Sequence, residues 1–285
     1  MTLCLFATDL HGQTALYQKL FTLIAEKRPA AVFLGGDLLP SPLLPGATTL
    51  HEDFLNDYLA SHLARLENRL GPGYPDIFVI LGNDDGRAEE AAVLDVAARN
   101  LWTYVHGRRI GFGGHEIYGY AYVPPTPFRL KDWERYDVSR HVDPGCLPPE
   151  EGSHSVPVAE REIRNATIDA DLKRLAGDRS TSAAVFLFHA PPYQTNLDRA
   201  GLDGQMIDHV PLDVHVGSIA IRRFIEARQP LVTLHGHVHE SARLTGSWRD
   251  RIGRTEMFTA AHDGSELAAV WFHLEDPAGA TRVLV

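Results

Sequence analysis

The sequence predicts an α/β fold in which buried strands alternate with helices. Short apolar runs separated by amphipathic stretches recur along the 285 residues, and apolar residues make up 44% of the chain, which is ample for a core. Five of the buried runs end at an Asp, Asn or His side chain. Because the carboxyl ends of strands in such sheets lie along one edge, we expect these five ends to form a site there.

The predicted strands follow from the apolar runs in chain order. The five that end at candidate ligands cover residues 3–7, 30–34, 76–81, 183–188 and 231–234. Short strand-like runs at 101–105, 109–112 and 115–122, and later runs at 255–260 and 267–274, are predicted to extend the sheets.

Helices are predicted between these strands. Leu16, Leu20, Leu23 and Ile24 recur at helical spacing, and Pro29 ends that helix. Further segments are predicted as a loop at 40–50 and as helices at 52–70, 89–98, 158–176 and 219–228. Prolines, charges and scattered aromatics at 123–158 indicate an insertion on a single domain that spans residues 1–285.

Composition and charge argue against several classes of protein. The formal net charge of −10 and the pI near 5.8 give no basic footprint for a nucleic-acid polymer or an anionic membrane. No apolar run approaches the length of a membrane span, and the start of the chain lacks the features of a signal peptide. Two cysteines do not suggest a disulfide framework and fit a cytoplasmic location. The oligomeric state is not predicted.

The alternating histidines His237 and His239 are the clearest candidate ligands. They follow a buried run and Gly236, and in an extended backbone side chains two residues apart point the same way. Neutral imidazole is a common ligand for transition ions. A solvated turn that happens to contain histidines is the alternative for this stretch alone.

The other strand ends strengthen the metal-site interpretation. Their candidate ligands are Asp9, His11, Asp37, Asn83 and His189. Asn83 also fits a left-handed turn position beside Gly82. Seven side chains exceed the three or four that one tetrahedral ion takes, so the sequence indicates two ions, and a carboxylate such as Asp37 can bridge them.

These motifs resemble the signature of the calcineurin-like metallophosphoesterase superfamily. The matching residues, in order, are Asp9-Leu10-His11, Gly36-Asp37, Gly82-Asn83-Asp84-Asp85, His189 and Gly236-His237-Val238-His239. His189-Ala190-Pro191-Pro192-Tyr193 and Glu240 are similar to members related to cyclic-AMP phosphodiesterases. The resemblance implies a four-layer α-β-β-α sandwich of two packed mixed sheets flanked by helices.

The resemblance also implies a ligand set and a reaction. One ion would take Asp9, His11, Asp37 and His239, and the other would take Asp37, Asn83, His189 and His237. The ions would be divalent or transition metals such as Mn, Fe, Zn or Ni. A metal-bound hydroxide would attack the phosphorus of a small phosphodiester or phosphomonoester, with nucleotides among the candidates. The expected catalytic residues are Asp37, Asn83 and Asp84.

Asp84 departs from the family pattern, which has a His at this position to donate a proton to the leaving group. One of the remaining histidines could substitute, and those considered are His115, His141, His154, His209, His215 and His262. Asp85 and Glu240 are candidates for orienting ligand histidines, and for each the alternative is a solvated acid. His235 is expected to be a strand residue.

The insertion at 123–158 is expected to cover the metal edge and select the substrate. Phe128, Trp133 and Tyr193 are the candidate substrate contacts. The alternative is that the segment packs on a remote face or forms an oligomer contact. Two rival functions also remain: a weak or inactive scaffold that binds protein partners, and metal-assisted hydrolysis of an amide or carboxylic ester. The complete set of seven candidate ligands in the family order argues against both.

Overall fold

Two six-stranded mixed sheets lie at the centre of the computed structural model, which describes residues 1–40 and 53–285. The strands are β1 Leu3–Ala7, β2 Ala31–Gly35, β3 Asp76–Ile80, β4 Thr103–Tyr104, β5 Arg109–Phe112, β6 His115–Tyr120, β7 Ala184–Phe188, β8 Met206–Ile207, β9 Val210–Pro211, β10 Val232–His235, β11 Arg249–Ile252, β12 Thr255–Thr259, β13 Ala268–His273 and β14 Asp276–Leu284. The α-helices are α1 Thr14–Lys27, α2 Ser61–Leu70, α3 Glu90–Ala98, α4 Glu160–Asn165, α5 Ile168–Ala176, α6 Ile219–Arg228 and α7 Ser241–Thr245.

Each sheet contains four adjacent parallel strands, with antiparallel pairing at one edge of the first sheet and at both edges of the second. The first has the order β14-β13-β1-β2-β3-β4, and the second has the order β11-β12-β10-β7-β6-β5. Strands β1 to β4 are parallel to one another, and so are β6, β7, β10 and β12. The carboxyl ends of these parallel strands therefore lie at one edge of each sheet. Strands β8 and β9 form a separate hairpin.

Aromatic side chains fill the space between the two sheets. Phe258 of β12 lies 5.8 Å from Phe272 of β13, and Phe78 of β3 lies 5.5 Å from Phe112 of β5, measured between ring centroids. On the outer face of the second sheet, Phe224 of α6 packs 4.9 Å from Phe186 of β7. This layering confirms the predicted α-β-β-α sandwich. None of the helices in the described part of the chain combines the length and apolar character of a membrane span.

Two helix predictions were wrong in detail. The helix predicted at 158–176 is two helices, because Thr167 has an extended backbone and its hydroxyl accepts a bond from the Ala170 N–H at 3.2 Å, which starts α5. The helix predicted at 52–70 begins with a π-helical segment, Phe54–Ala60, before α2. The loop predicted at 40–50 lies, from residue 41 onward, outside the described residues.

Most predicted strands are present, with shifts of one or two residues at their ends. The run at 101–105 forms only the two-residue strand β4, and the run at 115–122 ends as a strand at Tyr120. Sequence reasoning missed β8, β9, β11 and β14. Residues 249–252 and 276–284 lack a simple apolar run, and they pair as outer strands beside buried neighbours.

The insertion at 123–158 is firmly packed although it has little regular structure. Lys131, Trp133 and Tyr136 are almost fully buried. The Lys131 ammonium lies 2.5 Å from a carboxylate oxygen of Glu134, with both side chains enclosed. The Val123 N–H donates to the Trp133 carbonyl at 2.9 Å. This bond joins the start of the insertion, just beyond the carboxyl end of β6, to residues 133–134.

Candidate metal centre

The candidate ligands lie on short loops that leave the carboxyl ends of parallel strands. Four of them have left-handed backbone conformations: φ is 55° at Asp9, 43° at His11, 50° at Asp37 and 73° at His237. Such φ values are uncommon for non-glycine residues and cost of order 1–3 kcal/mol each, so they persist only where the surrounding structure imposes them. In residues 1–40 and 53–285 ten non-glycine residues have positive φ, and four of them are candidate ligands.

Asp9, His11, Asp37 and His239 form the first group. Each offers one ligand atom, and these atoms all lie within 4.8 Å of one another. Nε2 of His239 lies 3.3 Å from Nε2 of His11 and 3.3 Å from Oδ1 of Asp9. Two ligand atoms that each lie about 2.1 Å from one ion are roughly 3–3.5 Å apart. The spacing therefore fits a cation, and these four side chains could hold a metal ion.

His189 is at the centre of the second group. Its Nε2 lies 3.0 Å from Oδ1 of Asn83 and 3.3 Å from Oδ2 of Asp37. The ring of His237 follows, with its centroid 5.3 Å from that of His189. Because Asp37 belongs to both groups, the structure brings all seven candidate ligands together at one edge of the sandwich.

Backbone groups fix the orientation of these side chains. Nδ1 of His189 lies 2.8 Å from the Gly35 carbonyl, which can only accept, so Nδ1 carries a proton and Nε2 is the ring nitrogen that could bind a metal ion once it is deprotonated. The His237 N–H donates to Oδ1 of Asp9 at 3.1 Å, and the Asp84 N–H donates to Oδ1 of Asp37 at 2.8 Å. Sequence reasoning missed Gly35, because a backbone oxygen gives no signal in the residue type.

Two glycines permit the close approach of the loops. A Cβ on Gly82 would lie 2.3 Å from Oδ1 of Asp37, and a Cβ on Gly36 would lie 2.7 Å from Nδ1 of His189. Any larger residue at either position would displace a candidate ligand. The Gly-Asp and Gly-Asn pairs of the sequence are therefore explained by packing against the site.

The electrostatics of the site favour positive charge. Burial alone would raise the pKa of Asp37, but the charge and hydrogen bond of His189 hold it well below its usual range. Burial would lower the pKa of His189, yet the charge and hydrogen bond of Asp37 raise it to about 10. At His239, burial is likewise outweighed by the hydrogen bond and charge of Asp9, and the pKa rises to about 9. Two buried carboxylates thus create a field that suits a cation.

His237 behaves differently from its two neighbours. Burial and the charge of His189 lower the pKa of its imidazole to about 4. A neutral imidazole is the form that binds a metal. The donor set of carboxylate, amide and imidazole groups therefore fits divalent transition ions.

Asp84 lies beside a ligand histidine. Its Oδ2 is 3.6 Å from Nδ1 of His11, a buried nitrogen with no hydrogen-bond partner in residues 1–40 and 53–285. Burial and the charge of Asp37 raise the pKa of Asp84. The carboxylate is thus placed against the imidazole of His11.

Asp85 is not solvated, and the partners of its carboxylate are backbone N–H groups. Asp85 is fully buried and its carboxylate accepts backbone N–H bonds from Leu38 at 3.0 Å, Leu39 at 2.8 Å and Gly82 at 2.8 Å. These donors belong to the loops after β2 and β3. Asp85 therefore joins the loop that carries Asp37 to the loop that carries Asn83.

The remaining candidates lie beside the centre rather than in it. Glu240 accepts from the Gly201 N–H at 3.0 Å and makes no recorded bond to a ligand histidine in the described residues. The Tyr193 hydroxyl donates to Asp213 at 2.6 Å, in a cavity that it shares with the insertion. Trp133 is fully buried, so its assignment as a substrate contact was wrong, whereas Phe128 is exposed.

The other histidines do not join the ligand groups. His235 ends β10 as expected, and both ring nitrogens have partners, the Ala190 carbonyl at 2.9 Å and the Thr233 hydroxyl at 2.7 Å. Nδ1 of His215 lies 2.8 Å from the buried carboxylate of Asp198. Across the described ranges, none of the six histidines considered as a proton donor is hydrogen-bonded to a candidate ligand.

Comparisons with known proteins agree with this geometry. A family model described as calcineurin-like phosphoesterase matches residues 3–241. One solved structure aligns over 99% of this chain and 98% of its own, with 17% identity and a TM-score of 0.60. The protein TT1561 of Thermus thermophilus aligns over the same shares, with 16% identity and a TM-score of 0.55.

A third solved structure, described as a novel archaeal phosphodiesterase, aligns over 99% of both chains with 8% identity and a TM-score of 0.42, which is too low to support an argument. At such identities the first two likenesses establish the fold alone. No curated protein matches the chain in sequence.

Proposed function

The chain belongs to the calcineurin-like phosphoesterase family of metal-dependent phosphoric ester hydrolases, and on that premise we propose that it binds two divalent ions and hydrolyses a small phosphodiester or phosphomonoester. The observation that carries the proposal is the grouping of Asp9, His11, Asp37 and His239, whose ligand atoms lie within 4.8 Å of one another. The contact of Asp37 with His189, at 3.3 Å, supports a second ion on its far side.

The proposed ligand sets follow from these contacts. Asp9, His11, Asp37 and His239 hold one ion. The second is held by Asp37 with three further side chains, namely Asn83, His189 and His237. Asp37 is the proposed bridge, because its carboxylate belongs to the first group and also lies 3.3 Å from Nε2 of His189 in the second.

Two bound divalent ions supply the charge that lowers the pKa of water and stabilises negative charge on phosphoryl oxygens. The role of the protein is to hold the ions and to orient the side chains that bind them. The carboxylates of Asp9 and Asp37 offset two of four positive charges, so the occupied centre keeps a net charge of about two units that attracts a phosphate ester. The Asp84 N–H and the His237 N–H hold these carboxylates in place, at 2.8 and 3.1 Å.

None of the seven proposed metal ligands is suited to donate a proton to the leaving group. Asp84 occupies the position of the family histidine, and it lies against Nδ1 of His11. We therefore propose that Asp84 positions His11 instead of donating a proton. With Asp84 in place of a histidine, the protein would favour substrates whose leaving groups depart without being protonated.

The organisation and location of the chain are also part of the proposal. One set of contiguous buried residues includes strands of both sheets, which supports a single domain over residues 1–285 with the segment at 123–158 as part of it. Cys4 and Cys146 are free, which fits the proposed cytoplasmic location.

Metal analysis with turnover measurements tests the proposal. The protein purified with divalent ions should contain up to two per chain and hydrolyse an aryl phosphodiester or an aryl phosphomonoester. Chelation should remove both the ions and the activity, and restoring the ions should recover it. A metal-loaded protein that turns over neither ester would overturn the proposed reaction.

A further inference from the structure

A second cavity, of about 430 Å³, lies at the carboxyl end of β6. Its walls include Arg87, four residues after Asn83, and Tyr120, the last residue of β6. The Tyr120 carbonyl accepts from the His189 N–H at 3.2 Å. The strand that carries Tyr120 is therefore the neighbour of the strand that precedes His189.

Four arginines supply the charge of this cavity, namely Arg87, Arg109, Arg135 and Arg174. In the described part of the chain, Asp171 is the acidic residue of the wall, and it accepts bonds from the Tyr120 hydroxyl at 2.8 Å, Arg135 at 2.6 Å and Arg174 at 3.2 Å. Four positive charges thus face one carboxylate whose oxygens are already engaged. The wall has three units of unmatched positive charge before acids outside the cavity are counted.

Three acids outside the cavity match the remaining charge, so four arginines face four carboxylates, but not every arginine donor is engaged. Glu90, Glu116 and Glu162 pair with three of the arginines from outside. The pair of Arg87 with Glu90 is long, 3.5 Å, and uses only Nε. The two Nη groups of Arg87 make no hydrogen bond to any residue of 1–40 or 53–285, so they remain as donors for a ligand.

His106 adds a neutral donor to the wall. Burial, followed by the charges of Arg135 and Arg87, lowers the pKa of its imidazole to about 3. Its Nδ1 accepts from the Ala121 N–H at 3.0 Å, so the single proton of the neutral ring is on Nε2. The cavity therefore offers N–H donors and few acceptors, which is the complement of an anion.

We propose that this cavity binds a phosphate group in the part of the substrate that is not hydrolysed. The inference rests on the proposed function, and it narrows the substrate class to phosphate esters that carry a second phosphate, such as nucleoside bisphosphates and their esters. The volume lies in the range of ordinary ligand pockets, and the planar donor forks of arginine match phosphate oxygens. Because Arg135 belongs to the insertion and lines the cavity, part of the insertion would help to select the substrate.

Two esters that share a leaving group test the proposal. They are the p-nitrophenyl ester of thymidine 5′-monophosphate and the same compound with a 3′-phosphate. The 3′-phosphate should lower KM by roughly tenfold or more with little effect on kcat, because charged hydrogen bonds of this kind contribute about a factor of ten each. In Arg87→Gln and Arg174→Gln the advantage should fall at least threefold, while kinetics with the simpler ester stay unchanged.

Arg164→Gln is the matched control for Arg174→Gln. Both arginines are exposed on helices and pair with an acid one turn earlier, Arg164 with Glu160 and Arg174 with Asp171, but Arg164 lies outside the cavity. The control should keep the full advantage of the 3′-phosphate. Arg135 is avoided because it is largely buried with several partners, so its replacement could prevent folding.

Calorimetric binding of thymidine 3′,5′-bisphosphate to the chelated protein provides a readout without catalysis. Arg87→Gln and Arg174→Gln should weaken binding, whereas Arg164→Gln should not. If neither ester is hydrolysed, the proposed function is wrong. The calorimetric measurement still tests whether the cavity binds a phosphate group. Binding that depends on the two arginines without any KM advantage would show a separate anion site and overturn the substrate assignment. Equal binding by all variants would also overturn it.

Discussion

Nε2 of His11 lies 3.3 Å from Nε2 of His239, although 228 residues separate the two histidines along the chain. His11 follows β1 of the first sheet and His239 follows β10 of the second. The contact can form only after the two sheets have docked. An ion bound between these histidines would therefore tie the sheets together.

Removal of metal should lower the stability of the protein. An ion that binds the folded state alone stabilises it by about 2.7 kcal/mol when its concentration is 100 times its Kd. We expect the midpoint of thermal unfolding to fall on chelation and to rise again with added divalent ions. Calorimetry or circular dichroism measures this change. An unchanged midpoint in a protein shown to have lost its ions would contradict a cation between the sheets.

Asp37→Asn should be among the most damaging single changes at the centre. It weakens the proposed bridge, so both ions should be lost or bound weakly and activity should fall on the order of a hundredfold or more. His189→Ala should weaken mainly one ion. Metal content per chain and kcat/KM distinguish the two outcomes. Asp203→Asn, which alters an exposed carboxylate paired with Arg199, serves as the control. Two tightly bound ions in Asp37→Asn would refute the bridge.

Asp84 should limit which leaving groups the enzyme accepts. Bound dications would oppose the effects of burial and Asp37 and keep this carboxylate ionised, so it cannot donate a proton. General acid catalysis contributes about 10²–10⁴-fold and is needed most when the departing alkoxide is basic. We expect efficient hydrolysis of aryl esters, slow hydrolysis of simple alkyl phosphates, and selective gain on alkyl substrates in Asp84→His.

Rates across a series of leaving groups measure this effect. Asp84→Asn is the matched variant, because it keeps the shape of the side chain and removes its charge without adding a proton donor. A shallow dependence on leaving-group pKa that Asp84→His leaves unchanged would show that another group already supplies the proton.

Asp85→Ala should destabilise the fold and loosen the site. The change leaves three buried backbone N–H groups, those of Leu38, Leu39 and Gly82, without their acceptor. Each lost bond of this kind costs about 1–3 kcal/mol, so the free energy of unfolding should fall by roughly 3 kcal/mol or more. Denaturant unfolding of the chelated protein tests this without a contribution from metal. A loss below about 1 kcal/mol would show that water replaces the carboxylate.

His106 should make stability depend on mildly acidic pH. Its folded pKa, about 3, lies below its ordinary value of 6.5, so the folded protein binds fewer protons than the unfolded chain between these values. The stability that comes from neutral His106 is therefore fully present above pH 6.5 and is lost as the pH falls toward 3. The loss from this residue should be roughly 1.5 kcal/mol between pH 6.5 and 5.

His106→Asn provides the comparison for this pH effect. The amide oxygen can accept from the Ala121 N–H as Nδ1 does, but the side chain does not titrate. The difference in unfolding free energy between the two proteins should shrink or reverse as pH falls. Parallel curves from pH 7 to 5 would show that His106 is protonated without cost.

The sequence was sufficient for the centre of the fold because its strongest signals are local. Buried runs such as 183–188 form central strands, and the residues directly after them form the site because parallel strands must share an edge. Strand β14, with its exposed and polar residues, has no comparable signal, since its pairing with β13 is decided by the neighbour and not by its own pattern.

The site was predictable only where the ligand is a side chain in a motif. The residue types of Asp85 and Trp133 gave no indication that one bonds three backbone N–H groups or that the other is fully buried. Arg87 and Arg174 are 87 residues apart and meet in one cavity only because α5 packs beside β6. Such relationships depend on tertiary packing, which a single sequence does not encode in its local periodicity.

The central position of β1 has a consequence for biosynthesis. β1 pairs with β2 on one side and with β13, residues 268–273, on the other. A ribosome adding about 5–20 residues per second needs roughly 10–50 s to travel from Asp9 to His239 and longer to reach β13. During that interval a nascent chain exposes up to five of the seven candidate ligands, those from Asp9 to His189, and an unpaired apolar strand edge. Chaperones that protect such edges, and the timing of metal delivery, would therefore act before the last strands emerge.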